Sequence, residues 1–591
     1  MVKRLLIACS ITLAALSSCG GGSGDRTYCN PLDLDYGWGV FKPELPLCRT
    51  SADPVIVTFK DKYYLFSTHD IGGYRVSDNL LDWKDLSFNE EVREAALNGD
   101  TYVAPAAAAD EHYVYFIKLN RDRSSSTVKI IRTSDPEHGK WEICGEIPRV
   151  ADPSLFIDGG RYFIFHGLGG GIRRFELDPQ TMTMMEGTEE IVVDNPKSLD
   201  ECDGGCNFGR REIYDEIEAP EWKGRFSRLP CQEGSWVVRN GDRYYLQVAT
   251  PGTICIWYCD ALYTASRPDG CFAEETYGPV SLKAGGFIGG AGHSSVFRDR
   301  YGNWWEVTTM WIGNSNEFER RLGLFPVSFD DKGRMRVHTT LGDYPMTVPQ
   351  RRFDPEKEST LRGWWCLSFG KKCEASSAKE GFPPSNASDE NVRTWWAAAD
   401  DDAAPWLQMD LGTEAEVNAL QLNFSEQDYT PDSREDDYTS YIVYSSCDGR
   451  KWRKIADRSG NSRTNPHEYI ELDRAVKGRY IKVECVHPMN GMSFAMRDLR
   501  VFGNALGDVP PPVEEVLVER DAEDARFARV SWKPVQGADG YLVRFGPEEG
   551  FLNQVIQVKG GDESSLTVHI LNRKSPYIFK IQAYNGNGLS E

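Results

Sequence analysis

A repeat running through roughly the first 350 residues constrains this chain more than any other feature. Five segments share one order: a small or acidic residue, a short apolar run, a Gly or Asp turn, then an aromatic strand. They open at Asp53-Pro54-Val55, Ala104-Pro105-Ala106, Asp152-Pro153-Ser154, Glu233-Gly234-Ser235 and Gly292-His293-Ser294. Their aromatic halves include Lys62-Tyr63-Tyr64-Leu65-Phe66 and Arg243-Tyr244-Tyr245-Leu246. The first three starts lie about 50 residues apart, a blade-like period. Later gaps are longer, with an insertion near 185–230. Strands broken by Gly and Asp turns at this spacing predict an all-β protein whose first part is a propeller. The first strand of each blade is then innermost, and its leading residue faces the central channel.

Three of the five leading residues are acidic: Asp53, Asp152 and Glu233. Hydrolysis of a glycosidic bond needs one carboxyl to protonate the leaving oxygen and another to activate water or attack carbon. A third carboxylate can raise the acid's pKa by like-charge repulsion. Any one Asp-Pro or Glu-Gly could be turn punctuation. Three at matching blade positions point to a site. The net charge of −22 argues against nucleic-acid binding, which needs Lys and Arg at phosphates.

Ser51-Ala52-Asp53-Pro54, Val150-Ala151-Asp152-Pro153, and Glu233-Gly234 followed by Gly241 to Leu246 resemble the three signatures of glycoside hydrolase family 43. The likeness spans about residues 29–348, and is greatest to Bacteroidetes lipoproteins that carry discoidin and fibronectin type III modules behind the propeller. The resemblance implies five blades and an inverting mechanism. It makes Asp53 the general base, Glu233 the general acid and Asp152 the residue that orients and tunes the acid. Inverting carboxyls stand roughly 6.5–9.5 Å apart. Glu218-Ala219-Pro220-Glu221 also resembles the family's acid motif, but only Glu233 is followed closely by a Gly-x-Tyr-Tyr strand. His293 resembles a blade-five residue that faces a channel-bound cation or water, although a lone His is usually structural. Arg320 and Arg321 look like late-blade arginines near the sugar, or salt-bridge partners. The implied substrate is a plant or host polysaccharide, with an arabinofuranosyl or xylosyl unit removed. The alternatives are a catalytically silent glycan-binding surface lipoprotein and an adhesin.

The expected propeller domain is 29–349, followed by modules at 350–505 and 513–591 joined by a stiff linker, 506–512, with Pro510-Pro511-Pro512. Thr394-Trp395-Trp396, Pro405-Trp406, Tyr444 to Trp452 and Arg497 to Gly503 resemble a discoidin (F5/8 type C) jelly roll. That likeness implies a structural calcium, with Asp389, Asn391, Thr394 and Asp498 as matching positions. This module is expected to fold alone. Trp395, Trp396 and Trp406 are either core or sugar-binding loop residues. Val530-Ser531-Trp532, Gly540-Tyr541 and Tyr577 to Tyr584 resemble a fibronectin type III sandwich, a spacer or docking unit.

Residues 1–19 read as a signal peptide: Lys3 and Arg4, then an apolar run too short to span a bilayer. Leu16-Ser17-Ser18-Cys19 resembles a lipobox, so Cys19 is expected to carry lipid and residues 20–28 to be a tether. This predicts a membrane-anchored protein of the bacterial envelope, at the outer membrane. No organic cofactor is implied. Without Cys9 and Cys19 an odd number of cysteines remains, and the spacings of Cys202/Cys206 and Cys255/Cys259 suit a disulfide or, less well, zinc.

Overall fold

The structure, a computed structural model, describes residues 25–39, 47–68, 73–97, 103–119, 125–194, 232–253, 256–316, 318–429, 438–489 and 491–591. Five antiparallel meanders follow one another, starting at Ala52–Phe59, Val103–Ala109, Ser154–Asp158, Glu233–Asn240 and Gly289–Arg298. Each has four strands in sequence order, and the fourth sheet gains the short strand Ser281–Leu282. The first strand of each sheet lies against the first strand of the next, and that of the fifth sheet returns to that of the first. The ring is closed.

Ring closure explains the apolar composition of the inner strands. Side chains alternate across a strand, yet both faces of a blade are covered by neighbouring blades. Val55, Val57 and Phe59 pack with Tyr64, Phe66 and Phe116 on one side. Ile56, Tyr63 and Leu65 pack with Trp305 and Val307 on the other. Such strands read as nearly continuous hydrophobic runs.

The second domain is one extended sheet ordered Trp365–Cys366, Ala495–Ala505, Trp406–Phe424, His467–His487, Ser440–Ser446 and Arg453–Arg458, with two short strands at its margin. Trp396 is fully buried in its core. Trp395 stacks on Phe382 at 5.1 Å beneath the Arg497 guanidinium. Neither is a free sugar platform. The third domain has a three-stranded sheet, Leu517–Arg520, Ala528–Ser531 and Ser565–Val568, facing a second built around Gly540–Gly546.

The domains are locked together. Ala284–Gly285, from the propeller, adds a parallel strand to the third domain's sheet, with Ala284 opposite Ile556 and Gly285 opposite Gln557. Gly285 is required there: its φ is +77°, and a Cβ would stand 1.9 Å from the Gln557 carbonyl oxygen. The N-terminal strand Thr27–Tyr28 pairs with Met346–Thr347. The Thr27 N–H and hydroxyl also donate to Glu471 of the second domain, at 2.9 and 2.8 Å.

Two buried charge networks seal the contact. In one, Arg500 donates to both Glu390 oxygens at 2.8 and 2.9 Å, and Lys283 approaches Asp343 at 3.4 Å and Gln557 at 3.5 Å. In the other, Arg497 donates to Glu319 at 3.0 Å and Glu426 at 2.9 Å. Arg321 donates through Nε to His467 Nε2 at 2.8 Å. Burial and three nearby arginines hold His467 well below the usual imidazole range, so it is a neutral acceptor.

This changes the expectation that the second module folds alone. Cutting it free would take Glu319 from Arg497 and Arg321 from His467 and open to water a face that the propeller covers. Fragments 350–505 and 29–349 should each fail to give a cooperative melt by circular dichroism when made separately. Full-length Gly285→Val should melt below the parent.

Candidate active site

The inner strands share a device that no composition reveals. Register shifts fall at Ala52/Val55, Val103/Ala106, Glu233/Trp236 and Gly292/Ser295. Beside them one residue takes left-handed backbone: Asp53 (φ 50°), Ala104 (42°), Gly234 (56°) and His293 (49°). Asp152 (44°) does so just ahead of the third inner strand. A bulge re-aims a side chain, and holding a non-glycine residue left-handed costs of order 1–3 kcal/mol. His293 is thus the fifth-sheet counterpart of Asp53 and Asp152.

Glu233 does not share their phase, contrary to the sequence reading. It stands one residue earlier, level with Ala52 and Gly292, and Gly234 takes the left-handed position. Only glycine fits: a Cβ on residue 234 would lie 2.4 Å from the His293 ring.

Asp53, Asp152, Glu233, His293 and Arg320 all line one cavity of about 600 Å³, within the range of small-ligand sites. Leu119, Leu168 and Phe318 supply its apolar wall. Arg321 does not reach it. Successive side chains on the strand Arg320–Phe329 point to opposite faces. Arg321 therefore turns into the second-domain contact, where it bonds His467 and the Arg49 carbonyl oxygen (2.6 Å). Arg321 also faces Glu319 and Glu426 at 3.7 and 3.8 Å, whereas Arg320 lines the cavity and pairs there with Asp53. Glu218, Cys19, Cys202, Cys206 and Cys255 lie outside the described residues. Among the described residues, Cys29, Cys48, Cys144, Cys271, Cys366, Cys373, Cys447 and Cys485 are free thiols.

The Asp53 carboxylate is tightly held. Thr68 donates its hydroxyl to Oδ2 at 2.5 Å, His293 Nδ1 stands 3.1 Å from Oδ1, and Arg320 lies 3.6 Å from the same oxygen. Burial alone would raise its pKa, but these charges and the hydroxyl hold it well below the usual range. Burial lowers His293 in turn, yet Asp53, Asp152 and Glu233 lift it to about 9. Asp152 moves the opposite way. Burial, then the charges of Glu233 and Asp53, raise it to about 7 against the pull of His293 and Arg320. Glu233 Oε1 accepts a 2.8 Å hydrogen bond from buried Tyr258. Behind His293, Asp260 accepts its backbone N–H at 3.0 Å, and burial raises Asp260 to about 7. Tyr258, Thr68 and Asp260 escape a sequence reading because no local spacing ties them to the repeat.

Among the described residues, no group of three or more His, Cys, Asp and Glu is arranged to hold a metal ion. Asp389, Asn391, Thr394 and Asp498 share one region; several of their oxygens accept bonds from the chain, while Asp498 Oδ1 is buried without a hydrogen-bond partner. Asp389 accepts the Asn391 N–H at 3.0 Å and the Thr394 hydroxyl at 2.6 Å. Asn391 Oδ1 accepts the Arg393 N–H at 3.1 Å. Asp498 Oδ2 accepts the Glu390 N–H at 2.9 Å. Burial and the charge of Glu390 push Asp498 far above the carboxylate range. The four side chains alone do not fill the six to eight oxygen positions that calcium takes, so carbonyl or water oxygens would complete the set.

The model for glycosyl hydrolases family 43 matches residues 45–335, that for the F5/8 type C domain residues 372–499, and that for the fibronectin type III domain residues 511–591. Residues 45–335 are a family 43 domain. Solved structures similar to the chain include a family 43 protein from Bacillus licheniformis, 14% identical, covering 95% of this chain and 100% of its own, with a TM-score of 0.41. An endo-1,4-beta-xylanase from Bacteroides thetaiotaomicron is 17% identical over 51% of this chain and 96% of its own, TM-score 0.37. An exo-1,5-alpha-L-arabinanase from a bovine ruminal metagenomic library is 19% identical over 49% and 97%, TM-score 0.37.

In this family 43 domain the His293–Asp53 pair makes stability depend on pH. A raised histidine pKa contributes stability that is complete below 6.5 and lost as pH rises through about 9. His293→Gln should therefore melt below the parent at about pH 6, and the gap should close by about pH 10. Melts with a constant gap across that range would remove the ion-pair assignment.

Proposed function

We propose that the chain is an inverting glycoside hydrolase that removes an arabinofuranosyl or xylosyl unit from a polysaccharide. Family 43 membership of residues 45–335 supports the hydrolase class. One observation carries the assignment of residues: three carboxyl groups share a cavity in which their environments differ sharply. Groups whose surroundings push their pKa values apart divide into acid and base. Asp53, ionised throughout the working range, is the base. Asp152, raised to about 7 by burial and by the charges of Glu233 and Asp53, differs from it most and stands beside the acid, Glu233.

In this reading Glu233 delivers the proton to the glycosidic oxygen as the bond from that oxygen to the anomeric carbon breaks. Water attacks the same carbon from the opposite face and gives its proton to Asp53. Asp152 orients and tunes the acid. Arg320 and His293 bind sugar oxygens and hold Asp53 in place. Tyr258 fixes the Glu233 rotamer. A lipid anchor at Cys19, placing the enzyme at the outer membrane, completes the proposal and rests on the sequence alone.

Asp53→Asn and Glu233→Gln should each lower kcat by roughly 10²–10⁴-fold on an aryl glycoside. A good leaving group should rescue the Glu233 variant and not the Asp53 variant, because only the acid becomes dispensable. Proton NMR should show the product with inverted anomeric configuration. Retention, or near-parental activity of either variant, would overturn the roles. Binding of oligosaccharide without turnover of any glycoside would favour a silent glycan-binding lipoprotein.

A further inference from the structure

Phe318 and Arg320 reach the cavity from the turn between the strands Trp304–Trp311 and Arg320–Phe329. Within the propeller this turn is held by Glu319. Its backbone oxygen accepts the N–H groups of Ile312 (3.0 Å) and Gly313 (3.1 Å). Its side-chain Oε2 accepts those of Asn314 (3.0 Å) and Ser315 (2.7 Å). The other carboxylate oxygen, Oε1, faces the second domain, where Arg497 donates to it at 3.0 Å. Arg497 is itself fixed by Glu426 (2.9 Å) and the Val392 carbonyl oxygen (2.9 Å). Arg393 covers the same turn, donating to the Gly313 carbonyl oxygen at 3.3 Å and to Asn314 Oδ1 at 3.4 Å, with its guanidinium 5.1 Å from the Trp311 ring.

From this we infer that the second domain is a working part of the sugar site: Arg497, seconded by Arg393, is a positioning residue that sets Phe318 and Arg320 through the Glu319 turn. The inference rests on the proposed glycosidase reading for its substrate, though not for its geometry. Glu319 immediately precedes Arg320, which opens the strand, so a shift in one displaces the other. A carboxylate gripped by a guanidinium on one oxygen and by two amides on the other has little freedom. Without Arg497 the buried Oε1 loses its hydrogen bond and keeps only the Arg321 guanidinium at 3.7 Å, so the turn is free to shift toward Arg321. Displacements near 1 Å can cost up to 10²-fold in a positioned site.

The test uses the full chain. Arg497→Lys and the milder Arg393→Ala are compared with Arg500→Lys, which weakens the other buried network of the same contact and has no bond to the turn. Arg497→Lys and Arg393→Ala should raise KM about tenfold on an aryl glycoside with kcat changed less than about threefold. Arg500→Lys should lower Tm and leave KM alone. Hydrogen exchange read by mass spectrometry should show faster exchange of residues 312–316 in the first two variants only. That second measurement needs no substrate, so it decides the positioning claim even if no glycoside is turned over. A parental KM in Arg393→Ala, or unchanged exchange of 312–316 in both, would overturn the inference. So would a rise in KM for Arg500→Lys equal to the others, since the effect would then be general loosening.

Discussion

Arg49, Arg321, Arg497 and Arg500 are fully buried where the domains meet, and a charge moved out of water is tolerated only if partners meet it. Here the partners come from other domains. Glu319 of the propeller faces Arg497 of the jelly roll, and Lys283 and Asp343 sit against Arg500, Glu390 and Gln557. Such pairs add little net stability over a well-packed apolar contact. They do penalise every other arrangement, because a small slip would orphan several charges together. The relative placement of three modules is therefore set tightly by groups whose individual worth is small.

The same logic of imposed placement appears inside the ring. Five equivalent positions hold left-handed backbone, and four are not glycine. The strain is repeated at each blade because each blade must turn one side chain into the channel at the same height. Glycine enters only at 234, where the His293 ring occupies the space a Cβ would need. That single substitution of roles moves the acidic side chain of the fourth blade back by one residue, and Tyr258 meets it there.

Much of this was legible in the residues. The period of about 50, the alternation and the order of Asp53, Asp152 and Glu233 gave the ring and the acidic channel, since blade symmetry converts sequence phase directly into position. Two things resisted. Bulges shift phase by one, and nothing in Glu233-Gly234 distinguishes a leading residue from its predecessor. Contacts between distant segments are also invisible locally. Arg320 and Arg321 read alike, yet strand alternation sends one to the cavity and the other to His467. The loop at 389–394 reads as a hard-cation cluster by its oxygens, and its spacing does not show that the same loop also bonds within itself and to the propeller.

The parallel pairing of Ala284–Gly285 with the strand Gln554–Lys559 has a consequence for how the chain is made. The two halves of that pairing leave the ribosome nearly half a polypeptide apart. Long-range parallel pairing is slow because loop closure precedes any reward. Until the last module emerges, the segment after the fourth blade carries an unsatisfied edge, the kind of surface that templates aggregation. The module that looks most like a detachable spacer is therefore the one whose arrival completes the first domain, and truncations at the far C-terminus should be felt as misfolding of the propeller during synthesis.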